Sequence, residues 1–212
     1  MVRRSNGARA LERVNRKHLP IVPGVSPFAC MCDNTRMNII ALDAQHYDDG
    51  TAGVGMLGFH CWNDAEPAWE ITATATHCGE YEPGAFYKRE LPALSQALAQ
   101  CPVTPDIIVV DAYVFLDEHG RPGLGHKLWE HLGCKIPVVG VAKTKFMSAA
   151  SSWEIYRGSS KTPLYVTAVG YGLEQAKQDV LSMHGAHRMP ALLKRVDQLA
   201  RVPIVESSGP SF

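Results

Sequence analysis

Short apolar runs, each closed by a polar turn, organise the chain from Met37 onward. Asn38-Ile39-Ile40-Ala41-Leu42-Asp43 is the first, an apolar run that closes on an acid. Asp48-Asp49-Gly50 is a turn signal. Thr51–His60 and Ala68–Thr76 read as two further strands, the second rich in Thr, which suits a half-exposed pleat. With the first run they form an antiparallel meander joined by short turns. Leu91, Leu94, Leu98 and Cys101 recur at spacings of three, four and three, which predicts a helix. Pro92 is tolerated in the first turn of a helix, so this helix is expected to begin close to Glu90. In Pro105-Asp106-Ile107-Ile108-Val109-Val110-Asp111, four consecutive β-branched residues predict a strand buried on both faces, in the middle of a sheet.

The second half alternates. Arg121-Pro122-Gly123 breaks the chain before a helix near Gly125–Leu132. Ile136–Val141 reads as a parallel strand leading into Ala142-Lys143. Trp153–Arg157 and Leu164–Val169 read as a hairpin across Gly158-Ser159-Ser160-Lys161. Leu173, Ala176, Val180 and Met183 mark one helix; Leu192, Leu193, Val196, Leu199 and Ala200 mark another after Pro190. Three strands, a helix, then strands alternating with helices define the α/β class, with a mixed sheet flanked by helices.

Composition narrows the class of protein. A chain of 212 residues admits one large domain, or one domain with an extension. With 46% hydrophobic and 20% charged residues, it is an ordinary globular composition. No apolar run approaches membrane-spanning length, so no membrane partner is expected. The Arg-rich N-terminus lacks the apolar stretch of a secretory signal. The six Cys show no paired CxxC spacing and read as reduced thiols of a cytoplasmic protein. Charge is uneven: residues 1–36 hold seven Lys and Arg against two acids, a net +5, so residues 37–212 carry −5. A basic extension on an acidic body is either a nucleic-acid arm or a solvated tail. The expected division is a basic, weakly ordered extension over 1–36, a catalytic domain over 37–202 and a flexible tail over 203–212, in a monomer.

The acids now acquire meaning. Asp43 ends the first strand, Asp111 the central one. In α/β sheets, ligands bind at the carboxyl ends of strands. Each acid is therefore either a ligand-binding group or a carboxylate satisfied by local donors. Glu90 sits at a helix start, where the helix dipole alone would favour it. Asp197 lies on the last helix, beside Val196 and four residues after Leu193, on the flank of its apolar stripe. If the strands of Asp43 and Asp111 are neighbours, both carboxylates share one crevice and repel unless a cation separates them. Oxygen-only ligands suit Mg²⁺ or Mn²⁺ rather than Zn²⁺. Lys143, just past another strand, is either a phosphate-facing cation or an ordinary surface lysine.

At this point the residues resemble a family. From about Ile39 to Leu199 the chain is similar to the endonuclease V family, which has a ribonuclease-H-like fold. The matching segments are Leu42-Asp43 with its Asp48-Asp49-Gly50 turn, Tyr81-Glu82-Pro83-Gly84, Arg89-Glu90-Leu91-Pro92-Ala93 and Val109-Val110-Asp111. They continue with Ile136 through Gly140-Val141-Ala142-Lys143, Pro163-Leu164-Tyr165-Val166-Thr167, and His187-Arg188-Met189-Pro190 leading to Asp197. The resemblance implies a metal-dependent nuclease that recognises hypoxanthine in DNA or RNA. It would cut the phosphodiester bond on the 3′ side and leave a 3′-hydroxyl and a 5′-phosphate. It implies further that Asp43 and Asp111 hold Mg²⁺ or Mn²⁺, that Glu90 completes the site directly or through water, and that Asp197 matches an acid or histidine of the last helix. Lys143 would approach the phosphate. Tyr81, with Pro83 and Gly84, would match the wedge that replaces lost stacking near the lesion.

Three segments depart from the family pattern. Asp111 is followed by Ala112-Tyr113-Val114-Phe115 instead of a glycine-rich turn. Glu80 and Glu82 flank Tyr81 and would repel a phosphate backbone. Gly170-Tyr171 stands where Gly-His is usual. Besides the hypoxanthine-directed nuclease, a related nuclease with another nucleic-acid substrate and a non-cleaving nucleic-acid-binding descendant remain open. Keeping all four acids speaks against the last, because a pure binder gains nothing from crowded carboxylates.

Overall fold

The computed structural model describes residues 36–76 and 87–202. In chain order the strands are β1 (Ile39–His46), β2 (Ala52–Phe59), β3 (Trp69–Ala75), β4 (Ile107–Val110), β5 (Val138–Ala142), β6 (Glu154–Ile155) and β7 (Leu164–Val169). The helices are α1 (Tyr87–Leu98), α2 (Leu124–His131), α3 (Leu173–Ser182) and α4 (Ala191–Ala200). The seven strands form one sheet in the order β3-β2-β1-β4-β5-β7-β6. β1 pairs antiparallel with β2, and β2 with β3, which is the expected meander. β1, β4 and β5 pair in parallel. The β6–β7 hairpin closes the other edge.

Each central strand is buried on both sides, as its unbroken apolar run requires. Ile39, Ala41, Ile107 and Val109 pack with α3 and α4 on one face. Ile40, Leu42, Ile108 and Val110 pack with α1 and α2 on the other. The result is three layers, helices on sheet on helices. No helix among the described residues is long and apolar enough to cross a membrane.

Two boundaries differ from expectation. β1 does not end at Asp43; Ala44, Gln45 and His46 continue it, paired with Val54, Gly53 and Ala52 of β2. The hairpin partner supplies their backbone hydrogen bonds, so polar side chains do not terminate the strand. α1 begins at Tyr87, so Pro92 is its sixth residue rather than a first-turn one. Pro92 supplies no N–H to the Lys88 carbonyl, a local cost that the burial of Ala93, Leu94 and Ala97 offsets.

α4 lies unusually close to the sheet because β2 presents glycine to it. A Cβ at Gly55 would sit 2.4 Å from the Val196 carbonyl oxygen and 2.7 Å from the Ala200 nitrogen. One at Gly53 would sit 2.3 Å from the Ala200 oxygen. Gly55→Ala is expected to force α4 outward and to destabilise the fold by about 1–3 kcal/mol, read as a lower urea midpoint. Ahead of α4, the buried guanidinium of Arg157 donates to the carbonyls of Met183, Gly185, His187 and Arg188. That ties the loop entering α4 to the end of β6 and fixes where the helix starts.

Candidate active site

The register places the two strand acids side by side. Leu42 is paired with Val110, so Asp43 and Asp111 occupy the next row of the parallel ladder. Alternation puts both on the face of Ala41 and Val109, beneath α4. Asp197 comes down from α4 onto the same spot. One carboxylate oxygen from each of Asp43, Asp111 and Asp197 lies within 4.8 Å of the others. The floor is apolar: Leu42, Val110, Val141, Met189, Leu193 and Val196 line the space below Asp111. The charges are partly exposed, and over this apolar floor they interact more strongly than in open water.

The local charges are unequally compensated. Lys143, the residue after β5, places its ammonium between two of the acids. Its Nζ donates to Asp111 Oδ2 and, at 2.8 Å, to Asp197 Oδ1. Arg201, one turn beyond Asp197, bonds both of that residue's oxygens at 3.1 and 3.0 Å. Asp43 accepts one backbone N–H, from Ala44 at 2.9 Å. The protonation of each group follows. Burial, then the charge of Asp111, pushes Asp43 up to about 7. Burial also raises Asp111, against the pull of Lys143. Burial would raise Asp197 too, but Arg201 and Lys143 hold it below the usual carboxylate range. Lys143 is itself held above its ordinary value by Asp111 and Asp197, against its partial burial.

Of the expected site residues, the structure brings together Asp43, Asp111, Asp197 and Lys143. Glu90 stands apart from that group: it is buried on α1, with His46 Nε2 3.1 Å from its Oε1. α1 packs on the opposite face of the sheet, and the charge of Glu90 helps to raise Asp111. Tyr81, Pro83 and Gly84 lie outside the described residues. The contacts of three residues escaped the sequence reading. His46 is invisible as a partner because the pairing joins β1 to a helix 44 positions away. Arg188 reaches back to the Lys143 carbonyl, a contact that no spacing announces. Arg201 was legible, since a cation four residues after an acid on a helix forms an ion pair.

The donor set fits a hard divalent cation. All three acids offer oxygen, and the least compensated of them, Asp43, is also the one driven towards neutrality. A cation there supplies the missing positive charge. One oxygen from each of the three acids lies within 4.8 Å of the others, near enough for them to share one cation.

A mixed sheet of this order, with carboxylates converging at the end of its adjacent parallel strands, defines a ribonuclease-H-like protein. The profile of the family described as Endonuclease V matches residues 32–184, and the chain belongs to that family. Endonuclease V of Streptomyces coelicolor is 28% identical over 166 residues, covering 66% of this chain and 67% of the relative. The crystal structure of endonuclease V from Streptomyces avermitilis has a TM-score of 0.61 at 26% identity, covering 77% of this chain and 79% of that one. That of Ciona intestinalis endonuclease V in complex with DNA containing an inosine has a TM-score of 0.64 at 17% identity, covering 78% and 84%, a likeness of fold. The chain is a hydrolytic endonuclease of this family. Asp197 lies beyond the matched span, and its place in the site comes from geometry alone.

Proposed function

We propose that this protein is a metal-dependent endonuclease that hydrolyses the phosphodiester bond 3′ to hypoxanthine in DNA or RNA, in nucleic-acid repair. The observation that carries the reading is the convergence of Asp43, Asp111 and Asp197 from β1, β4 and α4 in a member of the endonuclease V family. Asp43 and Asp111 would hold Mg²⁺ or Mn²⁺, with Asp197 at their side and Glu90 completing the site through its charge or through water. When bound, the metal activates water and stabilises the departing oxygen. Breaking the P–O3′ bond leaves a 3′-hydroxyl and a 5′-phosphate.

The remaining work falls to protein side chains. With a cation held by the aspartates, the Lys143 ammonium would be available to the phosphate. Its backbone is fixed by Arg188, so the ammonium swings on a firm base. The apolar floor keeps water from one side of the charges and strengthens their interactions. Tyr81, Pro83 and Gly84 would flank the displaced base.

One observation favours the second reading, a related nuclease with another nucleic-acid substrate. The turn after Asp111 is packed: Tyr113 and Val114 are buried, and the Tyr113 ring lies against Phe146, Trp153 and Tyr165. A glycine-rich turn would leave that space to a base. The test is cleavage of a labelled oligonucleotide with one hypoxanthine, alongside its adenine control, with Mg²⁺ or with a chelator. Metal-dependent cutting of the hypoxanthine strand alone is the expected outcome. Equal cutting of both strands would transfer the assignment to the second reading, and binding without cutting would refute both.

A further inference from the structure

The strands that carry the site share an edge of the sheet with one more residue. β5 pairs antiparallel with β7, and β7 with β6, so β6 runs in the same direction as β1, β4 and β5. Asp111 and Lys143 emerge where β4 and β5 finish, with Asp43 of β1 level with Asp111. Tyr156, the residue after β6, emerges at the same edge, on the face of Glu154, Tyr165 and Ala142, which is the face away from α4. Ala142, Tyr165 and Glu154 form one row of pairs, which sets Tyr156 level with Thr144, next to Lys143. β4 and β6 are three strand spacings apart, about 14 Å at ~4.8 Å each.

Tyr156 is 56% exposed and Met147 is 94% exposed, the two most exposed large hydrophobic side chains among the described residues. A lone exposed apolar side chain needs no explanation. Met147 lies two residues after Lys145, and Tyr156 two residues after Glu154, the partner of that lysine. Lys145 Nζ lies 3.4 Å from Glu154 Oε1, and the Tyr156 hydroxyl donates to Glu154 Oε2 at 3.0 Å. Glu154 is largely covered and Lys145 half exposed, so an approaching strand meets the lysine. The loop from Lys143 to Met147 is held from within as well. The Tyr113 hydroxyl donates to the Thr144 carbonyl at 2.9 Å and accepts from the Phe146 N–H at 3.2 Å. Tyr113 lies in the turn that follows Asp111 and Ala112, and here it braces this loop.

We propose that Tyr156, Met147 and Lys145 form a second nucleic-acid contact, a platform for single-stranded bases at least about four nucleotides from the bond that is cut. The spacing is the 14 Å between strands taken at ~3.4 Å per stacked nucleotide. A tyrosine ring stacks on any base and reads none of them; methionine wedges between bases, and lysine meets phosphate. The proposal rests on the nuclease reading above and adds a place where the substrate is gripped without being read.

The test measures binding and cleavage of a fluorescein-labelled single strand with a central hypoxanthine, and of two versions trimmed to about two nucleotides on one side or the other. Tyr156→Ala is expected to weaken binding, and raise KM, about 5- to 20-fold on the full strand with kcat unchanged. Tyr156→Phe keeps the ring and should match the unsubstituted protein. On the version trimmed on the gripped side, Tyr156→Ala and the unsubstituted protein should be equal. Equal binding on the full strand, or an equal loss on all three strands, would overturn the platform while leaving the reaction intact. A length-dependent grip without any cleavage would keep the platform and overturn the reaction. No binding of any strand would overturn both.

Discussion

Asp111→Asn is expected to lower cleavage by about 10³-fold, roughly 4 kcal/mol of transition-state stabilisation, without lowering the stability of the metal-free protein. The two halves have one cause. Asp111 sits in the row of Asp43 and faces Asp197, and these acids are confined over an apolar floor. Without a divalent cation their mutual repulsion opposes folding, and Lys143 relieves only part of it. Asparagine is nearly isosteric and removes one negative charge, so Asp43 ionises more easily and the fold keeps its packing. Lys143 retains Asp197 as a partner, so no buried ammonium is orphaned. The lost carboxylate is a loss to metal binding alone. Steady-state cleavage and a urea titration of the same preparation separate the two effects. Glu174→Gln, at an exposed acid paired with Lys177, serves as a control that should change neither. A variant that loses stability in proportion to activity would contradict this account.

The second large effect is a dependence on pH. Asp43 is pushed from 3.8 up to about 7, chiefly by burial and next by Asp111. In the unfolded chain it ionises near its ordinary value. The folded protein therefore holds a proton that the unfolded chain releases. The stability contributed by neutral Asp43 is complete below about pH 4 and is lost as pH rises through about 7. A shift of about three pH units corresponds to at most about 4 kcal/mol. Metal binding runs the other way, because the cation needs the carboxylate ionised. Mg²⁺ affinity is expected to weaken about tenfold per pH unit below 7 and to level off above it. Thermal unfolding between about pH 5 and 8.5, with and without Mg²⁺, reads both. Without metal the midpoint should fall towards the alkaline end; saturating Mg²⁺ should remove that fall. A metal-free midpoint that rises through neutrality would place the raised pKa on the wrong group.

Much of this site was legible before any fold was known, and the reason is the strands. Ile39–Leu42 and Ile107–Val110 are unbroken apolar runs, which identify buried central strands, and each is followed by an acid. Adjacent central strands bring such acids together whatever the rest of the chain does. Asp197 was found from its place on the flank of an apolar helical stripe, which faces the sheet. The spacing around Glu90 leaves its layer open. Glu90 too is acidic, near a helix start and in a family motif, yet it faces His46 on the other side of the sheet. Which layer a helix joins is decided by connections between strands, and residue spacing within the helix carries no record of that. The extension of β1 to His46 was hidden for a related reason: pairing with β2, not the polarity of Gln45 and His46, decides where the strand stops. The braced loop after Lys143 depends on a tyrosine 31 residues away and had no local signature.

The glycines of β2 reach further than packing. Helix and sheet are ordinarily kept apart by the side chains between them, and exchanging one side chain for another changes the gap a little. At Gly53 and Gly55 nothing intervenes, and the α4 backbone rests on that of β2. The gap is at its floor and every substitution can only widen it. Asp197 travels with α4, so a strand that donates no atom to the reaction sets the width of the jaw that closes on the metal. In an unbiased screen for chains that fold but no longer cut, replacements at Gly53 and Gly55 should be recovered beside those at the aspartates.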